Sequence, residues 1–315
     1  MKQSHIFILL IWICTIVLSS KANAQTMDKA NYPFELHYAE MTSGKKIAYF
    51  DEGSGDKTLL MIHGLGSYAP AWEKVIDSLK HHYRCIALDL PGYGKSSGGD
   101  FAYDMSFFAD ALEEFTTHLD LENIVLIGHS MGGQIAMTAL LKKPELAEQL
   151  VLIAPAGFET FSEQDKTWFQ TLMTPAAIAA TPPERIRLNF AVNFHLMQFP
   201  SDAEFMYQDR LQMRDDSIAY QAYCEMIPKC VMGMLEAPVF DQLPDLDIRS
   251  LVIYGEGDLL IPNKILHPTL STAQVAQSGV DQMPQASLSM IDNCGHFVQW
   301  ECAEQVNELI LKFLK

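Results

Sequence analysis

Two segments near the start of the chain, FELHYAEMT (34–42) and KKIAYFDEG (45–53), alternate apolar and polar residues on either side of Ser43-Gly44. Alternation with period two, broken by a turn pair, predicts a β-hairpin with one face buried. The alternation then stops. TLLMIH (58–63), YRCIALDL (83–90), NIVLI (123–127), QLVLIAP (149–155), LVIYGEGD (251–258) and SLSMI (287–291) are short runs that are mostly apolar. Such runs suit strands covered on both faces. Between them lie helical patterns. Phe107, Phe108, Ala111, Leu112, Phe115 and Leu119 recur at helical spacing within 104–119, QIAMTALLKK follows the third run, and Val306, Leu309, Ile310, Phe313 and Leu314 mark an amphipathic helix at the end. Buried strands interleaved with helices predict an α/β architecture: a mostly parallel sheet flanked by helices, with the hairpin as its antiparallel edge.

The rhythm breaks between Pro155 and Pro244. Helical patterns dominate, no convincing strand occurs, and prolines at 175, 182, 183, 200, 228 and 238 interrupt the chain. The expectation is a helical cap inserted after the sixth strand, over residues 157–244, on a core made of 25–156 and 245–315. The cap is rich in methionine and phenylalanine, which make a pliable apolar lining. Most of these residues are expected to pack the cap itself and a few to face a site. The polar stretch near 268–286 has no place in this pattern.

Residues 1–24 are a separate object. Lys2 precedes an apolar run from Ile6 to Leu18, and Ala22-Asn23-Ala24 supplies a small-x-small cleavage pattern, which together read as a signal peptide with Gln25 as the mature start. The run is shorter than the roughly 20 residues that span a bilayer. The expected location is therefore periplasmic or extracellular, with no transmembrane segment after cleavage. The formal charge of −17 becomes −19 when Lys2 and Lys21 are removed. So acidic a chain argues against nucleic acid, which demands basic surface. Five cysteines remain, Cys85, Cys224, Cys230, Cys294 and Cys302, and their odd count and scattered spacing do not suggest a disulfide framework. Cys85 belongs to an apolar strand; Cys224 and Cys230 could meet only if Pro228 bent the chain between them. No metal-ligand spacing occurs, and no cofactor is expected.

The chemistry concentrates at one corner. Gly128-His129-Ser130-Met131-Gly132 fits G-x-S-x-G, between an apolar strand and a helix that the pattern starts after Gly133. In that context the serine sits in a strained turn, raised above the carboxyl ends of the strands, and the Met131 N–H lies at a helix start. A serine hydroxyl needs a base near neutral pH. His296 follows the last strand and is the candidate. His195 in the cap is a weaker rival, and His129 is expected to pack beneath the turn. The base needs an acid, and Asp258 follows LVIYGEG at another carboxyl end. Glu256 and Asp292 are the alternatives. The loop His63-Gly64-Leu65-Gly66 follows an earlier strand, so the Leu65 N–H can join that of Met131 as an oxyanion donor. His63 is expected to be structural, and the turn from Asp89 to Ser96 to brace the site.

In this order, HGLG, DLPGYGKSS, GHSMGGQIA, YGEGD and NCGHFVQWE resemble the α/β-hydrolase superfamily, in its capped serine esterase/lipase-like branch, over roughly residues 34–315. The resemblance implies the α/β-hydrolase fold, Ser130 as nucleophile, Asp258 as acid, His296 as base, and oxyanion amides from Leu65 and Met131. Epoxide hydrolases and haloalkane dehalogenases of this fold carry an aspartate where Ser130 stands, and the HGGPG and GGSWG patterns of proline iminopeptidases are absent. The expected function is hydrolysis of a small apolar carboxylic ester through an acyl-enzyme. A lactone, an amide or a carbon–carbon bond could be cut by the same residues, and a ligand-binding homologue without turnover is the reading from a different class.

Overall fold

The alternating segments pair as expected. Strands β1 (His37–Glu40) and β2 (Lys46–Glu52) are antiparallel, with Ala39 opposite Ile47. Their turn is fastened to the body of the protein by Glu114, whose carboxylate accepts hydrogen bonds from the Thr42 hydroxyl (2.7 Å), the Ser43 amide (2.8 Å), the Ser43 hydroxyl (2.6 Å) and Lys45 Nζ (3.1 Å). The computed structural model describes residue 27 and residues 29–315; the expected signal, 1–24, lies outside the described residues.

The apolar runs become β3 (Thr58–Ile62), β4 (Arg84–Leu88), β5 (Ile124–His129), β6 (Gln149–Ile153), β7 (Ser250–Gly255) and β8 (Ala286–Ile291). One sheet results, in the order β1-β2-β4-β3-β5-β6-β7-β8, with every pairing from β4 to β8 parallel and β2–β4 antiparallel. Every residue of β3, β5, β6 and β7 is buried, which accounts for the lack of alternation. Burying one Leu, Ile or Val stabilises by about 1.5–3 kcal/mol, so these central strands carry much of the core's stability. The edge strand β8 is only partly buried, and its serines fit that position.

Parallel neighbours need crossovers, and helices supply them. They are α1 (Glu73–Leu79), α2 (Met105–His118) and α3 (Met131–Lys142), then, after the cap, α9 (Thr272–Val280); α10 (Val298–Glu301) and α11 (Ala303–Leu314) follow the last strand. Asp104 caps α2 by accepting from the Phe107 amide at 2.7 Å. The polar stretch 268–286, which had no place in the sequence pattern, holds the β7–β8 crossover: α9 starts in a capping box between Ser271 and Gln274 and buries Val275 and Ala276. Its polarity is that of a helix with one wet face.

Between β6 and β7 the chain leaves the sheet for α4 (Glu163–Leu172), α5 (Pro175–Ala179), α6 (Pro183–Ala191), α7 (Glu204–Asp215) and α8 (Ser217–Glu236). The prolines punctuate less than their number suggests. Pro175 and Pro183 open helices, where the missing N–H costs nothing, and α8 runs through Pro228 without ending. Cys224 and Cys230 are both buried on α8 and unpaired, as is Cys85 in β4. The absence of a disulfide framework, however, needs correction, because Cys294 and Cys302 are joined. The short helix α10 folds the chain back and brings their Cα atoms to 6.3 Å, a return that spacing alone does not announce.

Burial would raise the Glu114 carboxyl, but the Ser43 and Thr42 hydroxyls, the Ser43 amide and Lys45 outweigh it and hold its pKa down to about 2. A depressed carboxyl contributes stability above its unfolded value, near 4.5, that is lost as pH falls through the folded one. Glu114→Gln is therefore expected to unfold at a lower temperature than the parent at pH 7. Thermal unfolding followed across pH should show the gap closing between about pH 4.5 and 2.

Candidate active site

Strand β5 runs into Ser130, the residue before α3. Ser130 has φ 54° and ψ −120°, a conformation that costs a non-glycine residue on the order of 1–3 kcal/mol. The surroundings enforce it: Ser130 N donates to Ile153 O (3.0 Å), while Ser130 O accepts from Gly133 N (2.9 Å) and Ala156 N (3.0 Å). Gly132 is needed because α3 touches β3 there; a Cβ at 132 would lie 2.2 Å from Ile62 O. The helix begins at Met131, three residues before the start that QIAMTALLKK suggests, because the glycines of its first turn carry no hydrophobic signal.

His296 follows β8, and its Nδ1 lies 2.7 Å from Asp258 Oδ2. Both residues are buried, at 3% and 2% exposure. A carboxylate only accepts, so Nδ1 donates and Nε2 is left as the ring's acceptor. The other Asp258 oxygen accepts from Leu260 N (2.7 Å) and Ile261 N (3.0 Å), which fixes the carboxylate. The alternative acids do not compete: Glu256 and Asp292 are both exposed. His195 sits in a cap turn with its amide on Glu301, and it is not among the residues lining the cavity that holds Ser130.

His129 packs under the corner. Its Nε2 donates to His296 O at 3.0 Å, and burial holds its pKa well below the usual histidine value, so the ring stays neutral. His63 is neutral for the same reason, with burial lowering its pKa to about 4. Its Nδ1 donates to Gly64 O (2.8 Å) and its Nε2 accepts from Leu90 N (3.1 Å), tying the HGLG loop to the turn after β4. That turn is braced by Asp89, which accepts from Ala69 N (2.7 Å), Lys95 N (2.8 Å) and the Tyr32 hydroxyl (2.5 Å), while burial pushes its carboxyl up to about 6. The HGLG loop passes over the nucleophile candidate: a Cβ at Gly64 would sit 3.0 Å from Ser130 Cβ. Leu65 follows at the cavity wall, and Met131 opens a helix, so its N–H has no intrahelical acceptor.

Ser130 and His296 line one cavity of about 530 Å³ beneath the cap, whose apolar wall includes Phe161, Phe169, Met173 and Met234. A second lobe of about 500 Å³ adjoins it through Leu65, Ser67, Met173, Asn193 and Phe297. Besides the exposed Arg185 and Asp241, two enclosed charged residues line these lobes without a mark in the sequence. Glu159 lines the first lobe, accepts from Asn263 N (2.9 Å) and His267 Nδ1 (2.5 Å), and has its carboxyl raised by burial. Arg210 lines the second, 9% exposed, with Nη1 on the Tyr223 hydroxyl, Nη2 on Gly66 O and Nε buried without a partner. Nothing in their local patterns sets them apart from surface charges.

Residues 57–303 match the family described as the alpha/beta hydrolase fold. The chain belongs to the alpha/beta hydrolase family. It is similar to the uncharacterized hydrolase YugF of Bacillus subtilis (strain 168), 29% identical over 280 residues, covering 84% of this chain and 92% of that one. It is similar as well to a 2-hydroxy-6-oxononadienedioate/2-hydroxy-6-oxononatrienedioate hydrolase of Escherichia coli (strain K12), 29% identical over 293 residues, covering 89% and 94%. Among solved structures, a "probable hydrolytic enzyme" of Pseudomonas aeruginosa PAO1 matches with a TM-score of 0.80 at 25% identity, covering 94% of this chain and all of that one. The protein is an alpha/beta hydrolase by family, and a hydrolase by the names of these relatives.

Gly132→Ala tests whether the tight corner is required. The added methyl would meet backbone rather than a mobile side chain, so a loss of about 1–3 kcal/mol or more is expected in denaturant unfolding, with activity falling alongside.

Proposed function

We propose that this hydrolase is an exported serine esterase that cleaves small apolar carboxylic esters through an acyl-enzyme. The observation that carries the reading is the buried His296–Asp258 pair opening on the same apolar cavity as the strained Ser130. Ser130 Oγ attacks the ester carbonyl while His296 Nε2 takes its proton. Asp258 keeps Nδ1 protonated and stabilises the imidazolium that forms. The Leu65 and Met131 N–H groups receive the oxyanion, a contribution of about 10²–10³ in rate for one such donor. The tetrahedral adduct collapses, the proton on Nε2 goes to the leaving alcohol, and water, activated by the same ring, releases the acid and restores Ser130. Export rests on the sequence of residues 1–24 and is supported by the Cys294–Cys302 disulfide, since such bonds persist in oxidising compartments. Periplasm or medium is the proposed location.

A second reading keeps the same three residues and changes the bond. The unpartnered Nε of Arg210 in the adjoining lobe favours a substrate with a carboxylate at its far end, and the name of the Escherichia coli relative gives a dioate as that enzyme's substrate. In this reading the scissile bond is carbon–carbon.

A fluorophosphonate probe should label the parent enzyme and leave Ser130→Ala unlabelled; equal labelling would remove Ser130 from the mechanism. Asp258→Asn should lower kcat by about 10⁴ by reversing the tautomer of His296, whereas Glu256→Gln, at an exposed position, should stay near the parent rate. The two bonds are separated by turnover of p-nitrophenyl esters of graded acyl length against aryl and alkyl dienoic diacids. Arg210→Gln is expected to raise KM for a diacid by about 10-fold or more and to leave an uncharged ester near its parent KM. Faster turnover of diacids by the parent would replace the ester reading with the second one.

A further inference from the structure

The segment that carries His296 is tied on every side. Gly257 N, in the loop of Asp258, donates to Cys294 O at 2.8 Å. Gly295 N donates to Glu301 Oε2 at 2.6 Å, and Glu301 Oε1 accepts from His195 N at 2.9 Å. His296 O is held by His129, and Phe297 N donates to Asn193 O at 2.9 Å. Two residues before His296, Cys294 is bonded through sulfur to Cys302, the residue from which α11 starts. Helix α11 is a firm anchor, with Val306 and Ile310 fully buried and Val306 N donating to Cys302 O.

These ties differ in kind. Glu301 lies on the four-residue helix α10, which is too short to be rigid by itself. The disulfide bypasses α10 and fixes the chain before His296 directly to the packed helix. We infer that the Cys294–Cys302 disulfide, with Glu301, is a positioning device for His296: it holds the imidazole on Asp258 and toward Ser130, and its reduction slows turnover without removing the substrate site. This rests on His296 being the base.

The reduction is chemically accessible. Cys294 is fully buried and Cys302 is partly exposed, so a dithiol's thiolate attacks the Cys302 sulfur and expels the Cys294 thiolate. The second thiol of the reductant then closes its own disulfide and frees Cys302. Two electrons and two protons pass to the protein, and the dithiol leaves oxidised. Cys85, Cys224 and Cys230 are buried and unpaired, so the exchange does not involve them.

The test uses the mature enzyme at temperatures well below the measured unfolding midpoint of each sample. Differential alkylation and mass spectrometry should find Cys294 and Cys302 protected before dithiothreitol and labelled after it. On reduction kcat should fall roughly 10- to 100-fold, the size expected for a displacement of about 1 Å in a reacting group. KM should change by less than about twofold, labelling of Ser130 by a fluorophosphonate should slow in parallel, and oxidised glutathione should restore the rate. The double variant Cys294→Ser/Cys302→Ser should show the low kcat and ignore dithiothreitol. Glu301→Ala should lower kcat, and Glu301→Gln, which keeps an acceptor oxygen, should recover part of it. The inference is overturned if the two cysteines are unprotected in the oxidised enzyme, if the fully reduced enzyme keeps its kcat, if the loss falls on KM, or if it follows the unfolded fraction. A Ser130→Ala or His296→Ala variant with parent activity would instead bring down the mechanism itself, and the inference with it.

Discussion

The site depends on a contact between backbones. Helix α3 starts against β3, and at Gly132 no room is left for a single methyl group beside Ile62 O. The chain must therefore pass from β5 into α3 through one residue with positive φ, and that residue is Ser130. Three features follow from this constraint. The serine is lifted to the carboxyl ends of the parallel strands, where the loops after β3, β7 and β8 converge. The Met131 N–H becomes the first of a helix. The HGLG loop, tethered through His63, is left directly over Ser130. A turn that only joined a strand to a helix would be relieved by glycine at this position; strain on a hydroxyl-bearing residue is the arrangement a nucleophile needs.

Burial then sorts the histidines. His63 and His129 are enclosed without an acid against them, and the cost of desolvating an imidazolium keeps them neutral. Neutral rings serve as fixed donor–acceptor bridges, which is how both are used. His296 is as buried as they are, but Asp258 accepts from its Nδ1. That carboxylate is itself held by the Leu260 and Ile261 amides, so the imidazolium of the proposed mechanism would meet an oriented counter-charge. Three buried histidines within one corner of the molecule thus have two physical roles, divided by the presence of one carboxylate.

Much of this was legible in the sequence because each part leaves a local mark. Buried strands are apolar without alternation, the corner needs small residues around a serine, and Asp258 and His296 each follow a strand run. Position at the loop apex favours Asp258 over Glu256 in the sequence, and in the structure Asp258 is buried while Glu256 is exposed. What leaves no local mark is set by contacts distant along the chain. The pairing of Cys294 with Cys302 depends on a four-residue helix that no hydrophobic period reveals. Helix α9 was hidden because a short helix with one wet face reads as a polar stretch. Glu159 and Arg210 look like surface charges along the chain, and only the cap folding over the sheet encloses them.

The cap does more than cover the cavity. Its Asn193 carbonyl takes the Phe297 amide next to His296, and its Arg210 holds Gly66 O beside the amide of Leu65. One contact fixes the loop of the proposed base and the other fixes the loop of a proposed oxyanion donor. The same residues line the lobes in which a substrate would lie. In the proposed mechanism, substrate selection and catalytic geometry therefore depend on shared residues. A change in the cap that reshapes the pocket would also move the groups proposed to act on the bond, so differences in specificity among such caps should come with differences in rate. The disulfide to the start of α11 ties the same loop from the core side, so the proposed base is held between a core contact and a cap contact.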